Sequence, residues 1–222
     1  SRLPVSHRNM SWDFKINRTL RGLSYPKPLW NSVWLGPLSP RELKELFTVP
    51  VDIENIYSEA LEVWEGSRCD NLVDQTLRFY TKLYLQDDIL FKVDRASMLN
   101  SLEVRAPFLD ADLVDFVRRI PHWFKFRNGR TKYILKKALE PVLPKEIIYR
   151  SKKGFGMPVG LWYKNGNLRM PGLARAEFFN PEFLERQIED HMSNRQDNRA
   201  FLFNMHSFSC WSANKAFGLP LP

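Results

Sequence analysis

Apolar residues recur at helical spacing over much of this chain. The repeat is longest in VDQTLRFYTKLYLQDDILFKVDRASM, where the apolar positions are Val73, Leu77, Tyr80, Tyr84 and Phe91. Such spacing places side chains on one face of an α-helix. The stripe passes through Asp87 or Asp88, so we expect an acidic side chain at or near the buried face of this helix.

Capping residues predict where further helices begin. In SPRELKELF, Ser39 suits the N-cap and Pro40 the first helical position. Asp110 can likewise cap a helix. The apolar residues of that helix are Leu113, Phe116, Val117 and Ile120.

The last third of the chain carries similar signals. Pro144 starts a short helix that runs to Ile148, Asn180 starts a later one, and Asp197 opens the last. We expect the aromatic and apolar residues of the last helix in the core. They are Phe201, Met205, Phe208 and Trp211.

The pattern as a whole predicts a mostly α chain. It contains no internal repeat, no low-complexity tract and no strong alternation typical of strands. Residues 1–70 are rich in proline and tryptophan, and we expect an irregular segment with short helices there. Residues 71–222 are expected to form the helical remainder.

Composition narrows the class of protein. No apolar run approaches the roughly 20 residues of a membrane span, and no signal-peptide pattern is present, so we expect a cytoplasmic protein without a membrane partner. Cys69 and Cys210 form no spaced pair. The scattered histidines argue against a metal site built from protein ligands. They are His7, His122, His191 and His206.

The net charge of +8 lies in one segment. Between Lys125 and Lys153 there are ten Lys and Arg residues against Glu140 and Glu146, while the rest of the chain is balanced. An anion docking on this segment and a solvated basic face both account for it. The lysines form no continuous stripe with exposed aromatic residues, so we expect no specific nucleic-acid partner.

The segment SLEVRAPFLD combines charged residues with a proline. Pro107 disfavours helical geometry at Ala106, so the chain is expected to be extended or looped there. In an extended segment Glu103 and Arg105 would point the same way. A structural ion pair and a carboxylate held for acid–base or substrate contact are the two interpretations.

Two basic clusters follow. In RNGRTKYILKKAL we expect Thr131 to cap a helix with Lys132 in its first turn, where a bound anion would relieve the unfavourable helix dipole. The inward side chains of that helix are expected to be Ile134, Leu135, Ala138 and Leu139. In YRSKKGFGMP, lysines precede two glycines that allow close backbone approach to a ligand. An exposed lysine and an ordinary surface loop are the alternatives.

In their order, these segments resemble the C-terminal synthetase domain of the glutamine-hydrolysing asparagine synthetases. The similarity runs through YLQDDILFKVDRASMLNSLEVRAPFLD and NGRTKYILKKALEPVLPKEIIYRSKKGFGMP, and more loosely through HMSNRQDNRAFLFNMHSFSCW. The resemblance implies an α/β adenine-nucleotide α-hydrolase fold. It also implies a ligase that uses ATP with Mg²⁺ to form an acyl-adenylate, β-aspartyl-AMP, which glutamine-derived ammonia converts to the amide with release of AMP and pyrophosphate.

The resemblance also implies roles for single residues. Glu103 and Lys152 match catalytic positions of the family. The matches near the nucleotide and pyrophosphate are Ser101, Leu102, Lys132 and Lys153. The matches to supporting positions around the site are Asp87, Asp88, Asp94, Arg95, Arg105 and Asp110. Lysines at such positions would stabilise the charge that develops on pyrophosphate.

The chain departs from the family pattern in what it lacks. The SGG-x-DS loop, the GDGGDELF-type segment and the cysteine for glutamine hydrolysis are absent, and the chain starts at Ser1. We therefore expect a C-terminal fragment whose parallel sheet, phosphate loop and glutaminase lie upstream, and which is inactive alone. Self-association is one way to cover its apolar face.

Three further interpretations stay open at this point. The first is a related ligase that uses a sugar acid, a peptide or a cyclising β-amino acid. The second is a non-catalytic helical module, and the third, ranked low, is nonspecific nucleic-acid binding.

Overall fold

The computed structural model of the protein describes residues 12–67, 71–151, 156–168 and 176–216. These residues are mostly helical, as the apolar pattern predicts. The first helices are α1 (Trp12–Leu23), α2 (Trp30–Leu35), α3 (Pro40–Leu46), α4 (Ile53–Ile56) and α5 (Ser58–Glu65). None of the helices in these described ranges is long and apolar enough to cross a membrane.

The middle of the chain contains a helical stretch that changes type along its length. α6 (Leu72–Phe79) continues into a π-helix (Tyr80–Leu90) and then into α7 (Phe91–Met98). After them come α8 (Ala111–Arg119), α9 (His122–Lys125), β1 (Phe126–Arg127), β2 (Arg130–Thr131), α10 (Tyr133–Leu139) and α11 (Lys145–Ile148). The last helices are α12 (Val159–Lys164), α13 (Pro181–Met192) and α14 (Arg199–Ala216).

Three of the predicted caps are confirmed. The Ser39 side chain accepts a hydrogen bond from the backbone N–H of Glu42 while Glu42 bonds back to Ser39, which forms a capping box. Asp110 accepts from the N–H of Leu113 at 3.0 Å, and Asn180 caps α13. These caps succeed as predictions because each depends on neighbouring residues alone.

The predicted acid on a buried helix face is wrong. Asp87 and Asp88 are both exposed, and so are Tyr84 and Phe91 of the expected stripe. The reason is the π-helix, whose i→i+5 hydrogen bonds place more residues in each turn and shift the apolar positions away from a single face.

The chain divides into two compact units, one of them formed by Ser1–Glu59 with Gly154–Pro222. We call this the discontinuous unit. Its core collects residues from segments far apart in sequence, namely Leu38, Leu46, Val159, Tyr163, Phe179, Phe183, Leu184, Phe201, Leu202 and Met205. The Phe183 and Phe201 rings pack edge to face at 5.9 Å. The expectation of a buried Phe201 and Met205 is therefore confirmed.

Trp211 is a partial exception to the expected core. Its side chain is exposed, although its ring packs against Phe208 at 5.7 Å. Phe208 is partly buried and in turn contacts Phe179 at 5.4 Å. Of these two residues of α14, Phe208 is therefore partly buried and Trp211 is accessible to solvent.

The second unit, Ala60–Lys153, is the central unit. Among its described residues the buried hydrophobic side chains are Ala60, Trp64 and Phe79. An ion pair of 2.9 Å between Lys125 Nζ and Asp74 Oδ1 joins α9 to α6. The rest of the unit exposes many large apolar side chains, so its hydrophobic core is small for its length.

Candidate active site

A tight turn after α7 builds the candidate site in the central unit. The N–H of Ser101 donates to Met98 O at 2.9 Å, and the N–H of Leu102 donates to Ser97 O at 3.0 Å. Ser101 has a φ of 55°, which is uncommon for a residue with a side chain. The turn ends α7, and the residues that follow it form an extended segment.

Glu103 and Arg105 lie on the same side of this extended segment, as their spacing predicts. Their side chains form an ion pair. Both are largely exposed, with 69% of the Glu103 and 86% of the Arg105 side chain accessible. An ion pair so open to water stabilises the fold little. Because its side chain is exposed, the carboxylate of Glu103 is accessible to a ligand.

A cavity of about 540 Å³ opens beside this pair. Its lining consists of Asp94, Ser97, Met98, Ser101, Glu103, Val104 and Arg105. Two carboxylates, a guanidinium and two hydroxyls therefore surround a space large enough for a small polar molecule. The arrangement can bind a polar ligand through hydrogen bonds and place Glu103 against it as a base or charge partner.

Sequence reasoning did not single out three of the lining residues, Ser97, Met98 and Val104. A usable signal exists for two of them. With Asp94 as i, Ser97 and Met98 are i+3 and i+4, so they share one face of α7. Val104 carries no such signal, because it lies between two charged residues in an extended segment.

The other residues expected near the site lie outside this lining. Asp88 forms an ion pair of 3.4 Å with Lys92, and the Arg95 guanidinium stacks over the Phe91 ring at 4.7 Å. Asp110 caps α8, and Leu102 is exposed beside the cavity. Asp87 is exposed on the π-helix. The cavity thus brings together Asp94, Ser101, Glu103 and Arg105 of the predicted set.

The prediction for Thr131 and Lys132 is corrected in detail. Thr131 lies in strand β2 and does not cap the helix, which begins at Tyr133 with Lys132 in the N-cap position. Asn128 and Gly129 have positive φ values of 49° and 74°, typical of a two-residue hairpin turn. This hairpin contains Thr131, the residue that was expected to cap the helix.

Lys132 itself has a left-handed φ of 56°, and its side chain is exposed. It makes no side-chain cap hydrogen bond to its own helix. Two residues that were expected inward, Leu135 and Ala138, are exposed, whereas Ile134 and Leu139 are partly buried. Lys152 and Lys153, the remaining predicted site residues, lie outside the described residues.

The end of α10 carries a contact that sequence reasoning missed. The Tyr149 hydroxyl donates to Glu140 Oε1 at 2.5 Å, and Lys137 Nζ donates to the same oxygen at 2.9 Å. The hydrogen bond from Tyr149 has the larger effect and that from Lys137 the smaller, and both lower the pKa of the Glu140 carboxyl. The bond to Glu140 raises the pKa of Tyr149. No local signal reveals this pair, because the residues are nine positions apart.

Comparisons with known proteins show which family the chain resembles. The family model described as asparagine synthase matches residues 11–213. Glutamine-hydrolyzing asparagine synthetase 1 of Bacillus subtilis (strain 168) is 34% identical over 134 residues, which is 58% of this chain and 21% of the relative. Glutamine-hydrolyzing asparagine synthetase 3 of the same organism is 44% identical over 79 residues, 36% of this chain and 13% of the relative.

A relative with a different name also matches. The amidase chyE of Penicillium rubens is 34% identical over 115 residues, which is 46% of this chain and 17% of the relative. No solved structure matches the chain. The chain spans about a fifth of the length of the first relatives named, at 21%. Because the family model covers most of its residues, the chain belongs to the asparagine synthase family.

Proposed function

We propose that this chain is the C-terminal part of a glutamine-hydrolysing asparagine synthetase. The observation that carries the proposal is the cavity beside SLEVR, in which Glu103 stands exposed next to Arg105 in a chain of this family. The names of two Bacillus subtilis relatives point to the same reaction. The reaction would take place in the cytoplasm.

In the proposed reaction an aspartate side-chain carboxylate oxygen attacks the α-phosphorus of ATP, which enters with its Mg²⁺ as substrate. The bond to the β-phosphate oxygen breaks, and pyrophosphate leaves. Ammonia then attacks the acyl carbon of β-aspartyl-AMP, loses a proton and expels AMP, which leaves asparagine.

Each proposed site residue has a task in these steps. Glu103, whose carboxylate lines the cavity, would be needed to form the adenylate, through contact with the reacting substrate. Lys152 would stabilise the charge on the departing pyrophosphate. Ser101 and Leu102 would border the nucleotide with their backbone. Lys132 and Lys153 are proposed as further contacts to the phosphates. The residues proposed to support the site from around it are Asp87, Asp88, Asp94, Arg95, Arg105 and Asp110.

A partner surface follows from the exposed apolar side chains of the central unit. Of the many large apolar side chains that this unit exposes, Leu99, Val142 and Phe108 are the most accessible, at 86%, 72% and 68%. Surfaces of this kind mark interaction sites. The occupant we propose is the phosphate-loop and glutaminase region of the synthetase, because about four-fifths of the length of Bacillus subtilis asparagine synthetase 1 lies outside the match.

This partner proposal can be tested by mixing. The chain and the unmatched N-terminal region of the Bacillus subtilis relative would be purified apart, combined, and examined by size-exclusion chromatography. A stoichiometric complex that Phe108→Asp weakens is expected. A homo-oligomer of the chain that excludes the N-terminal region would show that a second copy covers this surface instead.

The function itself is tested by Glu103→Gln in the complete synthetase. We expect aspartate-dependent release of pyrophosphate to fall by at least about 100-fold, because a contact that orients the reactants for adenylate formation is lost. Glutamine hydrolysis should continue. The matched control is Asp115→Asn, which neutralises an exposed carboxylate paired only weakly with Arg118 at 3.4 Å, and it should leave both activities unchanged.

Two outcomes would contradict the proposal. Retained pyrophosphate release in Glu103→Gln would remove Glu103 from the chemistry. Release driven by a sugar acid, a peptide or a β-amino acid, with none from aspartate, would assign the chain to a related ligase, an alternative kept in view by the relative named as an amidase.

A further inference from the structure

Two arginines lie opposite each other on the hairpin formed by β1 and β2. In its antiparallel register Arg127 pairs with Arg130, on either side of the Asn128–Gly129 turn. Residues directly opposite each other in an antiparallel pair project from the same face, with Cβ atoms about 5 Å apart. Like charges at such positions repel each other and weaken the strand pairing. The hairpin therefore brings two guanidinium groups together at an electrostatic cost.

The described residues do not balance these two charges. Arg127 and Arg130 are exposed, and neither forms an ion pair or a side-chain hydrogen bond within the described ranges. The sequence contains no acidic residue between Asp115 and Glu140. Glu140 is itself engaged, because it already accepts hydrogen bonds from two side chains. The part of the chain that the structure describes thus supplies no counter-charge to the pair.

An aromatic ring lies beneath one of the two guanidinium groups. The Cζ atom of Arg127 is 5.3 Å from the centroid of the Tyr133 ring, at the start of α10. A cation–π contact of this kind holds the guanidinium in place while its N–H groups can still donate. Lys132, directly after β2, is a third exposed cation. The segment from Arg127 to Lys132 thus carries three cations and no acid.

The pairing distinguishes the hairpin from the rest of the basic segment. Elsewhere in that segment Lys125 pairs with Asp74, and Lys137 pairs with Glu140. A solvated basic face gains nothing from two arginines placed directly opposite each other, whereas an anion between them turns repulsion into attraction. The planar fork of a guanidinium matches two oxygens of one phosphate group. Two such forks therefore suit a ligand with two phosphate groups.

We propose that Arg127 and Arg130 bind a diphosphate group, either as free pyrophosphate or at the end of a nucleoside di- or triphosphate. Each guanidinium donates to one phosphate group, and Lys132 adds positive charge nearby. The site is inferred from the hairpin alone. It can therefore be right or wrong independently of the proposed reaction.

The first test is isothermal titration calorimetry of the full chain with pyrophosphate. Arg130→Gln should weaken binding by at least about tenfold, because it removes charge-assisted hydrogen bonds to the ligand. Arg119→Gln is the matched control, since it removes the same charge from an exposed arginine at the end of α8 in the same unit. The control should bind pyrophosphate as the unmutated chain does. Absence of binding to the unmutated chain, or equal weakening in the two variants, would overturn the proposal.

A lysine variant separates a paired-arginine site from diffuse attraction. Arg130→Lys keeps the charge but loses the planar fork. It should therefore bind pyrophosphate several-fold more weakly than the unmutated chain. Unchanged affinity would show that net charge alone attracts the ligand, which contradicts the site.

Unfolding in urea at low salt tests the repulsion between the arginines. Without a phosphate ligand, Arg130→Gln should raise the midpoint of unfolding, because like charges no longer face each other. With saturating pyrophosphate the order should reverse, since the unmutated chain gains more from the ligand. A midpoint that does not rise in the variant without ligand would contradict the inference.

Three ligands identify the source of the diphosphate group. AMP, with its single phosphate group, should bind at least about tenfold more weakly than pyrophosphate. Tighter binding of ATP than of pyrophosphate would assign the site to a nucleotide, and tighter binding of pyrophosphate would assign it to the free anion. Binding of AMP as tight as that of pyrophosphate would overturn the proposal.

Discussion

Replacing His191 by leucine should destabilise the discontinuous unit severely. His191 has no exposed surface, and its ring bridges two elements. The backbone N–H of Asn198 donates to His191 Nδ1 at 3.2 Å, so this nitrogen carries no proton. The other ring nitrogen, Nε2, then holds the proton and donates to Gly160 O at 3.1 Å.

The magnitude follows from what the substitution leaves behind. Leucine fills a similar volume but leaves a buried N–H and a buried C=O without these partners. Each such group costs about 1–3 kcal/mol, so the free energy of unfolding should fall by about 4 kcal/mol. That is a large share of the roughly 5–15 kcal/mol that stabilises an ordinary domain.

The matched control is His206→Leu in α14. The buried Nδ1 of His206 has no hydrogen-bond partner among the described residues, so leucine removes a polar atom that gains nothing from them. We expect a change within about 1 kcal/mol. The assay is urea unfolding followed by tryptophan fluorescence, with Trp162 packed against this core as one reporter. Equal losses for the two variants would refute the hydrogen-bond reasoning.

The other predictions concern local contacts. Ser39→Ala removes the capping box of α3 and should cost about 1 kcal/mol, measured by the same urea assay; no change would show that the box is not needed. Burial opposes ionisation of Asp74, but hydrogen bonds from Asn71 and Lys125 outweigh it and lower its pKa. The stabilisation is therefore complete above about pH 4 and lost as pH falls through the lowered pKa. Lys125→Met should cost about 2 kcal/mol at pH 7 and flatten this acid-side loss in a pH series of unfolding midpoints; an unchanged pH profile would contradict it.

The helix caps and the ion pair of the site could be predicted from the sequence because they depend on near neighbours. Ser39, Asp110 and Asn180 act within three residues of themselves. The pairing of Glu103 with Arg105 follows from the alternation of an extended segment and from the proline that keeps it extended.

The predictions that failed concern segments whose structure is not decided by neighbouring residues alone. A π-helix stands where the apolar spacing predicts an α-helix, and Asp87 and Asp88 are exposed to solvent. Asn-Gly is a sequence typical of a tight turn, but the two strands that flank Asn128–Gly129 have two residues each and are too short to show alternation. The contact between Glu140 and Tyr149 depends on the path of the chain between them, which no local pattern encodes.

The most direct test of the central claim is the stoichiometry of ATP cleavage by the complete protein. With aspartate, glutamine and MgATP, the account predicts that AMP, pyrophosphate and asparagine form in equal amounts. Cleavage of ATP to ADP and phosphate, or asparagine formation without AMP, would contradict it.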